Sequence, residues 1–451
     1  MKNAKQARSC AWMLWAASLG LAGCGSQGTE GPPGGSEAPP VATSDAGGTV
    51  NSGSGSGGGS GGGTSNGGPV GSGSGNGSSS GGSGSGASDA GKDSGGSGGE
   101  PDSGVTPATC ADGLPSTLSD LASQTTGSTV SKTTPMGTNY ETPAQHTATS
   151  TELTFLRDAT KQPDIPASTS GLSLQAMKVT LYPSMGGKPL PADINQHDIG
   201  NCDGDTAFAS MAYQNPGFIQ SLIKDNGDNT YTVSMFDPMA KPMTVTVDNQ
   251  FLAESGGNIG AVSGKNGVAD WATVLEKATM KYNQVFHVVD DIGGIGSEYQ
   301  TPMFTGVGGS FAFDRGVLQP ADLTRVVKAA LAAGKLISGG FGEDGKTLAN
   351  GFQSVTAHGY AVLVPKDAST MISMRNPWGL DPTASGYDGS TDGVMDIPVD
   401  ASWAQTIDLR IIDPGAACGP GRTTPYTPMV QDVRTNDVRV NERHATRSVR
   451  R

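Results

Sequence analysis

Between Asp193 and Pro414 the apolar positions follow two periods, one of about 3.6 residues and one of two. Ala207, Phe208, Met211 and Ala212 recur at helical spacing, and Asp203 and Asp205 fall in the first turn of the helix they predict, which begins at Cys202. Thr230–Phe236 and Met243–Val247 alternate apolar and polar residues around a Pro-bounded turn and predict a strand pair. A second helix over about Ala269–Tyr282 places Trp271, Leu275, Ala278 and Tyr282 on one stripe, and a glycine-rich loop follows. A third helix starts after Pro320 and stops at Gly334, as the Pro-first, Gly-last asymmetry requires. Leu336–Phe341, Gly359–Val364, Met371–Arg375 and Thr406–Ile412 read as strands. Helices come early and strands late, so the expected fold is α+β, a helical lobe against a β lobe. There is no internal repeat.

The rest of the chain lacks this patterning. Residues from about 110 to 190 are rich in Thr, Ser and Pro. They read as a loosely packed extension, a pro-segment, or strands laid over the core. From Gly25 to about Val105 the chain is mostly Gly and Ser, and no aromatic residue occurs between Trp15 and Tyr140. Such a stretch buries too little apolar surface to offset backbone ordering. As a flexible coil it reaches about 50 Å. The start is different again: Lys2, Lys5 and Arg8 precede an apolar run from Ala11 to Ala22 that is too short to span a bilayer. It ends in Leu21-Ala22-Gly23-Cys24, which resembles a bacterial lipobox. That resemblance implies cleavage before Cys24 and acylation of its thiol and new amine, a stable anchor. Gly25 resembles the outer-membrane sorting pattern. The expected organisation is a lipoprotein signal peptide (1–23), a disordered linker (24–108), a Thr/Ser/Pro-rich extension (109–192), a catalytic domain (193–418) and a basic tail (419–451).

Charge and cysteines narrow the picture. The net charge is −13, yet the first 23 residues and the last 33 are both positive. The body is therefore strongly acidic, which argues against nucleic acid as its partner. The basic tail reads as solvated and mobile. Of five cysteines, Cys10 leaves with the signal peptide and Cys24 takes lipid. An oxidising compartment favours pairing two of the remaining three and leaving one reactive thiol. Cys110 and Cys418 flank the folded region, so they are the expected disulfide, and Cys202 is the thiol left over.

Cys202 also has the right surroundings for chemistry. A thiol at a helix N-terminus feels the positive end of the dipole, which favours thiolate. Six residues earlier, Gln196 offers an amide donor of the kind that stabilises an oxyanion. His358 begins one predicted strand and Asn376 ends the next, with the turn centred on Asp367. In an unbulged hairpin they face each other with Cα atoms about 4.5–5.5 Å apart, close enough for an amide to orient an imidazole. His146, His197, His287 and His444 have no such partner in the pattern, although His197 lies near the thiol as a pocket-wall residue.

These motifs resemble the protease core of the calpain family, a branch of the papain-like cysteine peptidases, over about residues 193 to 412. Gln196…Gly200-Asn201-Cys202 is similar to the family's Gln-Gly-x-x-Gly-Asp-Cys-Trp, and Trp271-Ala272-Thr273-Val274-Leu275-Glu276-Lys277-Ala278 to its Trp-Pro-x-Leu-Leu-Glu-Lys-Ala helix. Ala357-His358-Gly359-Tyr360 stands where the family has Gly-His-Ala-Tyr, and Arg375-Asn376-Pro377-Trp378-Gly379 matches in full. The resemblance implies a papain-like fold and a cysteine endopeptidase acting on protein or peptide substrates. It implies Cys202 as nucleophile, His358 as base, Asn376 as its orienting amide, Gln196 as oxyanion donor and Trp378 as a shield. It also implies calcium bound through acidic loops. Here Glu343-Asp344 and Asp388 to Asp392 are acidic by composition only, nothing matches an EF-hand, and no metal residue is assigned. Asp203 replaces the tryptophan after the nucleophile, and Gly204-Asp205 follow it. That departure changes the pocket floor and brings a carboxylate near the thiol, which disfavours thiolate. The same residues suit two other readings: an inactive papain-fold binding module, and a transamidase or deamidase. The expected protein is a monomeric, lipid-anchored, extracytoplasmic peptidase.

Overall fold

The computed structural model describes residues 110–127, 136–142, 146–169, 171–184, 186–264, 267–342, 354–355, 357–363, 371–381, 392–399 and 406–419. The expected signal peptide, Cys24, the Gly/Ser linker to Ala108, the tail beyond Gly419 and the acidic positions 343–344 and 388–391 lie outside the described residues. No helix among the described residues is long and apolar enough to cross a membrane.

The chain first lays down α1 (Ser150–Arg157), closed by a reciprocal cap in which Thr149 Oγ1 accepts from Glu152 N and Glu152 Oε2 from Thr149 N. Next come β1 (Ser173–Ala176) and the thiol-bearing helix α2 (Cys202–Gln214). A short α3 (Pro216–Leu222) leads into β2 (Ile223–Asp225), β3 (Thr230–Phe236) and β4 (Pro242–Asp248), which form a three-stranded antiparallel sheet in the order β2-β3-β4. β5 (Gln250–Ala253) pairs antiparallel with β1. α4 (Trp271–Phe286) then buries Trp271, Leu275, Ala278 and Tyr282 completely, and α5 (Ser297–Thr305) completes the first lobe. The helical pattern thus coexists with two small sheets in this lobe. α5 lies in the segment that its glycines mark as a loop, because its burial among neighbours outweighs weak local propensity.

The second lobe is one six-stranded antiparallel sheet. Its strands are β6 (Ser310–Phe313), β7 (Leu336–Phe341), β8 (Gly359–Leu363), β9 (Met371–Arg375), β10 (Val394–Pro398) and β11 (Ile407–Ile412), in the order β10-β9-β8-β7-β11-β6. α6 (Pro320–Ala332), with Pro320 at its first turn and Gly334 at φ +75° just past its end, packs on β7, β8 and β9. Each lobe has its own apolar core, and α2 serves both. Phe208 and Met211 enter the first core and Tyr213 the second. This places Cys202 at the junction of the lobes.

Residues before Asp193 are part of this body. Leu118 and Leu121 enter the second core, while Met136, Tyr140 and Leu156 enter the first. Asp120 receives a bidentate pair from Arg325 on α6, at 3.0 and 2.8 Å. The chain ends are clamped together. Cys110 and Cys418 form a disulfide with Cα atoms 5.8 Å apart, and the buried Lys335–Asp413 ion pair sits beside it. Gly113 N donates to both oxygens of Asp413, at 3.1 and 3.2 Å, and Lys335 Nζ donates to Ala111 O at 2.6 Å. The described residues from Cys110 onward therefore pack into the same body as those after Asp193.

Candidate active site

Cys202 is the first residue of α2, with Asn201 at the preceding cap position, and only 5% of it is exposed. Its sulfur lies against the start of β8. Gly359 N donates to Sγ at 3.4 Å, and Sγ approaches Ala357 O at 3.8 Å. The two contacts flank His358 in sequence, so the thiol packs against the backbone on either side of that residue. Gly359 is required for this approach: a Cβ there would lie 2.8 Å from the Cα of Asp203.

His358 and Asn376 meet, but not as directly opposed residues. The β8–β9 register pairs Ala361 with Arg375 and Leu363 with Ser373. Extended outward, it sets Tyr360 opposite Asn376 and Trp378 opposite His358, because the hairpin is centred one residue later than Asp367. The turn itself lies outside the described residues. His358 and Asn376 still share a face, and the diagonal is short enough for long side chains to bridge. His358 Nε2 donates to Asn376 Oδ1 at 2.7 Å. The amide is fixed by its other bonds, since Oδ1 also accepts from Trp378 N at 3.0 Å and Nδ2 donates to Leu380 O at 2.8 Å. That arrangement selects the Nε2–H tautomer in neutral imidazole and makes Nδ1 the basic nitrogen. The shifted register also explains the indole. Trp378 stacks on His358 with centroids 4.1 Å apart and planes 31° apart, covering the buried His–Asn bond.

Gln196 is brought to the same place by the opposite lobe. Its backbone N donates to Pro377 O at 2.7 Å, and Arg375 Nη2 donates to Ile194 O at 2.7 Å. Arg375 also donates to Asn376 O, so one buried guanidinium joins the segment leading to Gln196 to the Asn376 turn. Gly379, at φ +77°, permits the close approach, because a Cβ there would overlap Asn195. Gln196 Nε2 donates to Ile199 O at 2.8 Å and lies 3.4 Å from Asn201 Oδ1. One amide hydrogen is thus committed, and the other is only loosely held.

Asp203 does not behave as its position in the sequence suggests. Its Oδ2 accepts from Ser297 N at 3.1 Å, capping α5 from outside, and its Oδ1 accepts from Thr206 Oγ1 at 3.2 Å. Arg410 lies 3.6 Å away and is paired with Glu298 as well. The carboxylate is engaged with a helix end and a guanidinium. His197 braces the loop before the thiol through Ser263 Oγ, at 2.7 Å.

The motif reading left Asn201, Glu276 and Arg375 without roles, yet all three are buried, Glu276 bonded to Asn201 and Arg375 to the backbone of Ile194 and Asn376. For Glu276 and Arg375 the available signal was a charged side chain inside an otherwise largely apolar stretch. Among the described residues no group of three or more His, Cys, Asp or Glu side chains is arranged to hold a metal.

Residues 180–389 match the family described as calpain family cysteine protease. The chain carries a calpain-like cysteine peptidase domain. Its α+β architecture, with Cys202 at the start of a lobe-joining helix and His358 and Asn376 on an antiparallel sheet, is papain-like. The matched region begins 23 residues after Arg157 ends α1 and stops before β10 and β11, so the folded body has elements on both sides of the match. No curated protein matches the chain.

Proposed function

We propose that the protein is a cysteine endopeptidase in which Cys202, His358 and Asn376 form the catalytic triad. The observation that carries this reading is the 2.7 Å bond from His358 Nε2 to Asn376 Oδ1, with the Cys202 sulfur held between the backbone groups flanking His358. The Cys202 proton passes to His358 Nδ1, and the thiolate attacks the peptide carbonyl, forming a C–S bond. The oxyanion takes hydrogen bonds from Gln196 Nε2 and the Cys202 N–H. The imidazolium then gives its proton to the departing amine as the C–N bond breaks. Water, deprotonated by the same ring, attacks the thioester and releases the acid, and the thiol is restored. No step is assigned to calcium.

The protein acts, in this reading, on proteins or peptides outside the cytoplasm, held to a membrane by lipid on Cys24. The basic start, the short apolar run and Leu21-Ala22-Gly23-Cys24 support the anchor. The Cys110–Cys418 disulfide supports an oxidising compartment. Incubation with a denatured protein substrate tests the reaction. New N-termini that disappear in Cys202→Ala are expected. Crosslinks or deamidated glutamine in place of new N-termini identify a transamidase or deamidase instead.

A further inference from the structure

Glu276 is a carboxylate in the interior of the first lobe, 1% exposed on α4, and the triad does not use it. Both of its oxygens are occupied. Oε1 accepts from Asn201 Nδ2 at 2.8 Å, and Oε2 accepts from Val262 N at 3.0 Å. Asn201 is the residue immediately before Cys202 and is itself 1% exposed. With its Nδ2 directed at Glu276, its Oδ1 faces the other way, 3.4 Å from Gln196 Nε2. The reverse orientation sets an amide oxygen against a carboxylate and an NH2 group against an NH2 group. Both are repulsive, and the interior magnifies the penalty. In its ionised form the carboxylate therefore fixes the Asn201 amide, and the Asn201 oxygen, together with the Ile199 carbonyl that accepts from Gln196 Nε2 at 2.8 Å, selects which end of the Gln196 amide faces the turn leading to the thiol.

We propose that Glu276 is a positioning residue, which through Asn201 holds Gln196 with its NH2 group toward the oxyanion. The proposal rests on the reading of Gln196 as oxyanion donor and adds the element that orients it. It also gives a reason for Asn201, where the family pattern has aspartate: an amide supplies both the donor Glu276 needs and the acceptor that Gln196 faces. Asp205, whose Oδ1 is 3.4 Å from Asn201 Nδ2, adds a second acceptor on the same side and reinforces the orientation.

The test uses the full chain and two readouts that a merely structural role moves together. One is kcat and KM on a peptide substrate. The other is the rate at which iodoacetamide alkylates Cys202, a reaction with no oxyanion to stabilise. Glu276→Gln keeps the size but turns an NH2 group toward one of the two N–H donors. It is expected to lower kcat on the order of 10- to 100-fold, the cost of a small misplacement, with KM and the alkylation rate within about twofold of wild type. Gln196→Ala alone is expected to cost on the order of 10²–10³-fold. In that background Glu276→Gln is expected to lower kcat by less than about twofold more, since its route of action is gone. Asn201→Ala, which removes the middle link, is expected to show the same loss and the same non-additivity, and serves if Glu276→Gln does not fold. Parallel losses in hydrolysis and alkylation, or losses that add to that of Gln196→Ala, overturn the proposal while leaving Gln196 in place. If Gln196→Ala leaves kcat unchanged, the reading of Gln196 fails and the proposal falls with it.

Discussion

Asp203 and Ala357 flank the reacting groups, and each can be judged by a single substitution. The Asp203 carboxylate caps Ser297 N and sits 3.6 Å from Arg410, so its charge is answered locally. Asp203→Ala is expected to lower unfolding free energy by about 1 kcal/mol, the usual worth of a helix cap, and to leave alkylation of Cys202 no faster. Urea denaturation and an iodoacetamide time course measure the two. Faster alkylation in the variant is the signature of a carboxylate that suppresses thiolate. Ala357 lies at φ +51°, a left-handed conformation costly for any residue with a Cβ, in the place where the family pattern has glycine. Ala357→Gly is expected to raise stability by about 0.5–1 kcal/mol, the strain relieved less the entropy glycine loses on folding. The melting temperature reads that gain.

Among the elements, the turn after β9 carries the most consequence, because it delivers Asn376, Trp378 and the carbonyl that holds Gln196. Gly379→Ala drives a methyl group into Asn195 and is expected to lower kcat/KM on the order of 10²-fold, through displacement of a positioned turn. The sheet lobe should remain folded, as near-ultraviolet circular dichroism will show. Much of this arrangement was readable from sequence. Long periodic segments such as Trp271–Phe286 and Leu336–Phe341, and punctuation such as Pro320 and Gly334, come from local rules, and the structure follows them. Among the elements that were not readable, α3, α5 and β10 are short or glycine-flanked and owe their form to neighbours far away in sequence. The hairpin register failed for a related reason. Symmetry about Asp367 assumed an ideal turn, and a shift of the centre by one residue moved each partner by two. That shift preserves the face, so the His–Asn pairing survived an incorrect register. Asn201 and Glu276 were visible as motif letters, but their bond spans 75 residues and no local pattern encodes it.

At the scale of the molecule, the 308-residue separation between Cys110 and Cys418 makes the disulfide a closure of the whole body. Cys110→Ser with Cys418→Ser is expected to cost about 2–4 kcal/mol, measured by chemical denaturation under non-reducing conditions. Stability should also depend on pH. Burial raises the carboxyl pKa values of Asp193, Asp270 and Glu298, and carries Glu276 up to about 7. These groups hold protons in the folded state that the unfolded chain has released, so stability falls as pH rises from about 4.5 toward 7. His197, lowered by desolvation, opposes this with a single proton. The melting temperature is expected to decline between pH 5 and 7.5, and to decline less in Glu276→Gln. The most direct test of the whole account is N-terminal sequencing of a protein substrate after incubation with wild type and with Cys202→Ala. The account predicts new N-termini from the wild type and none from the variant. Undiminished cleavage by Cys202→Ala contradicts it.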